Sequence, residues 1–308
     1  MDKIVSVIET ALPVFLALAM GMLCRKIGFL TRDGVDTLKK VVINLTLPAV
    51  LINAFATAEY NASSLVIPAV IFALCCVALG LGYLIIRISG MKSRLAPFLA
   101  TGFEAGMIGY ALFSLLFKDQ SISSFAILDI GHTLFVFTLF KILLSGKTDL
   151  KAIGKDMVTT PILWAVLIGV LLGATGLYGT MQASGTSGIL DSVTSFVSAP
   201  TAMIILLTIG YDLVPKDIPW KKTMGLIAMR VVVMAVLYGL IVLLNRTVLG
   251  SVIFEGAALL LVMLPPPYVI PVFADEPSER VSISSALSAM TVVSLLLFAA
   301  LSVVIGLR

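Results

Sequence analysis

Stretches of about 20 mostly apolar residues, the length a helix needs to cross a bilayer, follow one another along nearly the whole of this chain. A water-soluble fold of this size has no room to hide so many of them. Of the 308 residues only 12% are charged and 59% are hydrophobic, with a mean hydropathy of +1.12, whereas roughly a quarter of a soluble domain is charged. The chain is therefore expected to be an all-α integral membrane protein. Cys24, Cys75 and Cys76 sit in apolar stretches without metal or disulfide spacing and read as small hydrophobes. The first segment is apolar from Ala11 to Cys24 and then meets Arg25 and Lys26. No small-x-small site precedes that basic pair, and Leu23 before Cys24 does not fit lipoprotein processing, so a retained helix is expected.

Ten spans are expected, at about 4–24, 37–57, 64–88, 95–117, 121–144, 160–178, 188–212, 222–245, 252–273 and 282–306. They are called segments 1 to 10 below. Sixteen of the 21 lysines and arginines fall in the odd-numbered connections, among them Lys26, Lys39, Lys92, Lys141 and Lys216. Four lie on the other side (Lys3, Lys118, Arg246 and Arg308), and Arg230 lies inside segment 8. The positive-inside rule then puts the odd connections in the cytoplasm of a cell membrane and both termini outside. Because the basic residues mark segment ends instead of forming one patch, the charge of +4 suggests no nucleic-acid partner; the lipid bilayer is the partner implied.

Five segments per half is an odd number, so two similar halves, 1–150 and 151–308, would enter the membrane with opposite topology, as an inverted repeat. Pro48 in segment 2 and Pro200 in segment 7 sit at corresponding places, each depriving the carbonyl four residues earlier (Asn44, Phe196) of its partner. Segment 4 reads Gly102-Phe-Glu-Ala-Gly-Met-Ile-Gly-Tyr and segment 9 reads Leu264-Pro-Pro-Pro-Tyr-Val-Ile-Pro. Three successive prolines cannot continue a helix, so the carbonyls of Leu261, Val262, Met263 and Pro267 should lose partners. Non-helical backbone at membrane depth is tolerated only against protein or a watery cavity. Paired breaks of this kind point to a carrier's binding site. Half-helix N–H groups near Met107–Tyr110 and Tyr268–Ile270 would suit a carboxylate. The residues expected to bind substrate are Asn44, Pro48, Gly106, Met107, Gly109, Tyr110, Pro200, Pro266, Pro267 and Tyr268.

With these features the chain resembles the auxin efflux carrier family, which includes plant PIN proteins and bacterial malate- and malonate-type permeases. The most recognisable stretch runs from Gly28 through Thr31, Asp33, Gly34 and Asn44 to Pro48. The resemblance implies two inverted five-helix repeats with broken crossover helices 4 and 9. It also implies a scaffold (helices 1, 2, 6 and 7), a transport bundle (helices 3–5 and 8–10) that moves like an elevator, and a homodimer. Gly106 and Gly109 match the family's fourth-helix pattern, whereas Glu104 stands where an asparagine is usual and Ala111 where a proline is.

Charges deep in a helix need a reason, at a cost of at least about 2.5–3.5 kcal/mol each. Glu104 could carry a proton or coordinate Na⁺ with freed carbonyls, or serve as a hydrogen-bonded structural residue. Asp129 and His132 share a face of segment 5 and read either as a proton relay or as a static buried pair. Arg230 is expected to neutralise Glu255, with attraction of the substrate anion as the other reading. The serines from Ser282 to Ser294 read as close helix packing.

The function expected is secondary transport of small mono- or dicarboxylates, with H⁺ or Na⁺ as coupling ion and no other cofactor or metal. An anion channel or a membrane-resident sensor would use the same pocket. No Walker motif is present, and a lone histidine without clustered Asp or Cys argues against an intramembrane enzyme.

Overall fold

A computed structural model describes residues 2–58, 60, 62–91, 93–145, 159, 161–213, 220–270 and 277–306. Lys92, Lys147, Lys151, Lys155 and Lys216, counted above in the odd connections, lie outside the described residues, as does the end of segment 9. The described residues form helices and turns, with no strand among them. Six helices are long and apolar enough to cross a membrane: Arg32–Ala56, Val66–Ser89, Ser123–Leu144, Ser187–Asp212, Thr223–Thr247 and Ser282–Ile305. The pair Pro161–Ala174 and Leu177–Ala183, bent by 62°, adds a seventh if it is one span. Segment 1 is helical over Asp2–Lys26. The chain is a multi-pass membrane protein.

Segment 2 does not break at its proline. The helix runs on from Arg32 to Ala56 by widening into a π turn, Val42–Thr46, just before Pro48. There the N–H of Leu47 reaches back five residues to the Val42 carbonyl. The wider turn admits the proline ring without ending the helix. In segment 7 Pro200 caps the second half-helix, Thr201–Asp212, and its carbonyl accepts the N–H of Ile204 at 3.0 Å. The hydroxyls of Thr46 and Thr201, beside the two prolines, are buried and unpaired in the described structure.

Connections of the same parity meet. Asp212, at the end of segment 7, pairs with Arg32 and Lys39 at the start of segment 2. Ser93 donates to Glu279 at 2.8 Å, and Arg94 donates to the Leu144 carbonyl at 2.7 Å, which joins the connections around segments 4, 5 and 10. At the other end Asp191 accepts the Tyr178 hydroxyl at 3.0 Å and the Asn53 amide at 3.3 Å. Phe117 and Phe254 pack there with ring centroids 5.0 Å apart. Alternation of this kind is what a chain passing up and down requires.

Glycines set the tightest helix contacts, as is usual where lipid supplies no hydrophobic drive between helices. A Cβ on Gly21 of segment 1 would strike the Leu207 carbonyl oxygen, and one on Gly210 of segment 7 would strike that of Leu18. On segment 6, a Cβ at Gly169 would lie 2.7 Å from the Cβ of Phe55 and 2.9 Å from the Ile52 carbonyl oxygen. Segment 1 therefore lies against segment 7, and segment 6 against segment 2. Gly210→Val is expected to lower the thermal midpoint in detergent, since overpacking costs about 1–3 kcal/mol. Gly239→Val, at a position with no atom near enough to meet an added Cβ, is the control and should leave the midpoint unchanged.

Candidate functional site

The breaks in segments 4 and 9 meet. Segment 4 is a short 3-10 turn (Ala96–Ala100), then extended chain, then a π turn (Ala105–Gly109) leading into the helix Tyr110–Leu116. Segment 9 is helical over Glu255–Met263 and extended from Leu264 through the prolines. The N–H of Glu104 donates to the Pro265 carbonyl at 2.9 Å, and the Glu104 carboxylate accepts the N–H of Tyr268 at 2.7 Å. Gly102 has φ +71, and an added Cβ would sit 2.8 Å from Cγ of Pro267, so the crossing admits no side chain there.

Glu104 thereby takes one of the N–H groups expected to await a substrate. Its carbonyl also accepts from Ile108 at 3.1 Å and Gly109 at 3.2 Å. The N–H of Tyr110 goes to the Ala105 carbonyl, and that of Ile270 to the Pro267 carbonyl at 3.3 Å. Among the carbonyls expected to be stranded, that of Leu261 accepts from Leu264 at 3.2 Å. The carbonyls that draw partners from elsewhere are those of Leu264 and Pro265, where the chain has already left the helix.

Arg230 does not pair with Glu255. The bidentate partner of Glu255 is Arg246, at 2.8 and 2.9 Å, at the exposed ends of segments 8 and 9. Arg230 is buried, with only 5% of its surface exposed, and donates to the carbonyls of Leu99 (2.8 Å), Gly102 (3.0 Å) and Leu264 (2.7 Å). Sequence reasoning placed its charge but not its acceptors. The missed signal is its depth: Glu255 opens its helix near a membrane face, whereas Arg230 lies amid an apolar run.

Asp129 and His132 lie on segment 5, and both hold segment 4 in place. Asp129 accepts the Tyr110 hydroxyl at 2.9 Å, the Thr133 hydroxyl at 3.3 Å and Nδ1 of His132 at 2.9 Å. Nε2 of His132 accepts the N–H of Phe103 at 2.9 Å. Because that N–H can only donate, Nε2 is unprotonated, and the imidazole is neutral with its hydrogen on Nδ1. One pair thus grips segment 4 before its break, at Phe103, and after it, at Tyr110.

A cavity of about 510 Å³ opens beside the crossing. Glu104, Gly106, Tyr110, Pro267 and Tyr268 line it, together with Asp129 and His132. Of the other residues expected to bind substrate, Asn44 is exposed and turns its amide to the Lys40 carbonyl at 2.7 Å. Pro200 is exposed, while Gly109 packs against Phe125 and Leu264. Pro48 and Pro266 are likewise not among the lining residues, and the side chain of Met107 lies outside what is described. Sequence reasoning missed Lys39 and Lys141, which it counted only as loop charges and which both line the cavity. It also missed the walls. Each of the three π turns in the described residues (Val42–Thr46, Ala105–Gly109 and Val136–Phe140) contributes to them, through Ile43, Gly106 and Phe137 among others. Such turns recur at functional sites.

A second cavity, of about 350 Å³, shares Lys39 and Tyr268 with the first and is faced by Ser284, Ser288 and Thr291 of segment 10. Ser284 and Ser288, from the stretch expected to serve packing, share this lining with Arg32 and Asp212. The Tyr268 and Thr291 hydroxyls are hydrogen-bonded at 3.0 Å.

His132→Phe would leave the buried N–H of Phe103 without an acceptor, a loss of about 1–3 kcal/mol. The expected result is a lower thermal midpoint in detergent for His132→Phe than for His132→Gln, whose amide oxygen can still accept.

Comparison with known proteins bears on what such a cavity serves. No protein-family model matches the chain. It is similar to an uncharacterized transporter of Methanothermobacter thermautotrophicus, 26% identical over 212 residues that cover 67% of each chain. It is also similar to an uncharacterized transporter of Methanocaldococcus jannaschii, 25% identical over 233 residues, which are 71% of this chain and 73% of the relative.

Proposed function

We propose that this protein is a secondary carrier of small organic anions, and that the substrate sits in the cavity beside the crossing of segments 4 and 9. The observation that carries this reading is the composition of that cavity. Lys39 and Lys141 are among its lining residues, and its walls are mostly apolar, with Leu47, Phe103 and Phe140 among them. Lys39, although paired with Asp212, and Lys141 bring cationic side chains to the lining, and the apolar walls suit the hydrocarbon body of a carboxylate. The similarity to two proteins described as transporters supports a carrier over an enzyme.

The cavity's lysines belong to the connections expected in the cytoplasm, which supports reading this as the inward-facing form of an alternating-access cycle. The helix contacts support the two-halves reading. Segment 1 on segment 7 and segment 6 on segment 2 are one contact seen twice, because exchanging the halves turns the first pair into the second. These four would form the scaffold, and segments 3–5 and 8–10 the bundle that carries the crossing. Segment 5 belongs with the bundle, since Asp129 and His132 bind segment 4 on both sides of its break.

Glu104 faces the cavity and an incoming anion. A proton on this carboxyl removes the repulsion and can travel with the substrate, which makes the carrier proton-coupled. In this scheme Asp129 and His132 hold the site, with His132 as the neutral partner.

The test is uptake of labelled carboxylates into proteoliposomes under imposed pH gradients. Uptake of at least one monocarboxylate, accelerated by a gradient that drives protons with it, is expected. Glu104→Gln should keep uptake down a substrate gradient and lose the acceleration by pH, at unchanged protein abundance. Conductance far above carrier rates, or binding without flux, would turn the reading to a channel or a sensor.

A further inference from the structure

The carbonyls freed by the two breaks make up the kind of oxygen cluster in which carriers hold a coupling cation. Here the guanidinium of Arg230 already occupies that cluster. It reaches Leu99 and Gly102 on segment 4 and Leu264 on segment 9, with contacts of 2.7–3.0 Å. The Phe103 ring lies under it, 5.9 Å from the guanidinium carbon to the ring centroid. Among the described residues no acidic side chain forms an ion pair with Arg230, so the peptide oxygens carry its solvation. We infer that Arg230 is a built-in cation of the crossing, covalently attached where a coupling Na⁺ would bind, and that the protein works without Na⁺. The inference rests on the carrier reading for its transport consequence, but not for its binding consequence.

Three points favour this over an arginine that merely fills space. A planar guanidinium has five donors fixed in one plane and spans carbonyls from separate segments, which a compact ammonium does poorly. A buried charge is retained only with partners, and its partners here are the main-chain oxygens that leave their helices at the two breaks. Arg230 is absent from the lining of the 510 Å³ cavity, so its charge is directed at the backbone and not at the substrate.

From its other side Arg230 borders a crevice of about 270 Å³ between segments 8, 9 and 10, lined by Met234, Met263 and Met290 among others. In an Arg230→Ala variant this crevice gives a small cation a way to the vacated oxygens.

The experiment has two arms. In detergent, the thermal midpoint of the wild-type protein is compared in sodium chloride and choline chloride and should be the same in both. Arg230→Ala should melt lower and regain more than half of the loss in guanidinium chloride well below denaturing concentration, with Na⁺ a weaker substitute. In proteoliposomes, wild-type carboxylate uptake should be unchanged when choline replaces Na⁺ on both sides. Specific stabilisation of the wild type by Na⁺, or uptake that needs a Na⁺ gradient, overturns the inference even if Arg230→Ala does not fold. An Arg230→Ala variant as stable as wild type and indifferent to guanidinium also overturns it. Absence of any carboxylate uptake, with the melting results as expected, would sink the carrier reading and leave the resident cation standing.

Discussion

Inside hydrocarbon, a main chain that leaves its helix must find new partners for every N–H and C=O it exposes, because water is not there to supply them. In this protein two such departures supply one another. Glu104 donates its N–H to segment 9 and accepts the Tyr268 N–H with its carboxylate. Arg230 takes three carbonyls of the two segments that neither could satisfy alone. Segment 5 adds Asp129 and His132, one hydrogen bond on each side of the break in segment 4. An acid, a base and an imidazole replace the helical ladder where it is missing. The cavity exists because this replacement holds extended chain open at depth.

The glycine contacts serve a different end. Gly21, Gly210 and Gly169 bring backbones to distances at which a methyl group would collide with carbonyl oxygens. Contacts this close resist sliding, since any shift drives backbone atoms together. The crossing, by contrast, meets segment 2 through an aliphatic side chain, with Leu47 against Gly106. The two kinds of contact differ in what lies between the helices: backbone against backbone in one, aliphatic side chain in the other.

Much of this was legible in the sequence. Apolar length located the helices, and glycines and prolines located the breaks in segments 4 and 9, because both effects are local. The fate of Pro48 was not legible. Whether a proline breaks a helix or is absorbed by a π turn depends on what the surrounding helices allow. The acceptors of Arg230 were hidden for another reason: they are backbone oxygens 34 to 131 residues away in the chain, and peptide groups leave no trace in side-chain patterns. Lys39 and Lys141 were read only as loop charges, because their convergence on one cavity is a matter of tertiary placement. That Ser284 and Ser288 also line a cavity was not legible, because close packing and a lined cavity use the same small polar residues.

The π turns of segments 2, 4 and 5 carry a consequence for how this sequence can vary. Each holds one residue beyond what an α-helix would place in the same stretch, and each presents a side chain or a backbone edge to the same cavity. Removing one residue from such a turn restores an ordinary helix and rotates everything on one side of it by about 100°. In segment 5 that rotation would swing Lys141 away from the lining, and in segment 2 it would turn Leu51 or Lys39 from the wall. The lengths of these three stretches are therefore fixed to the single residue, more strictly than the identities of most side chains within them.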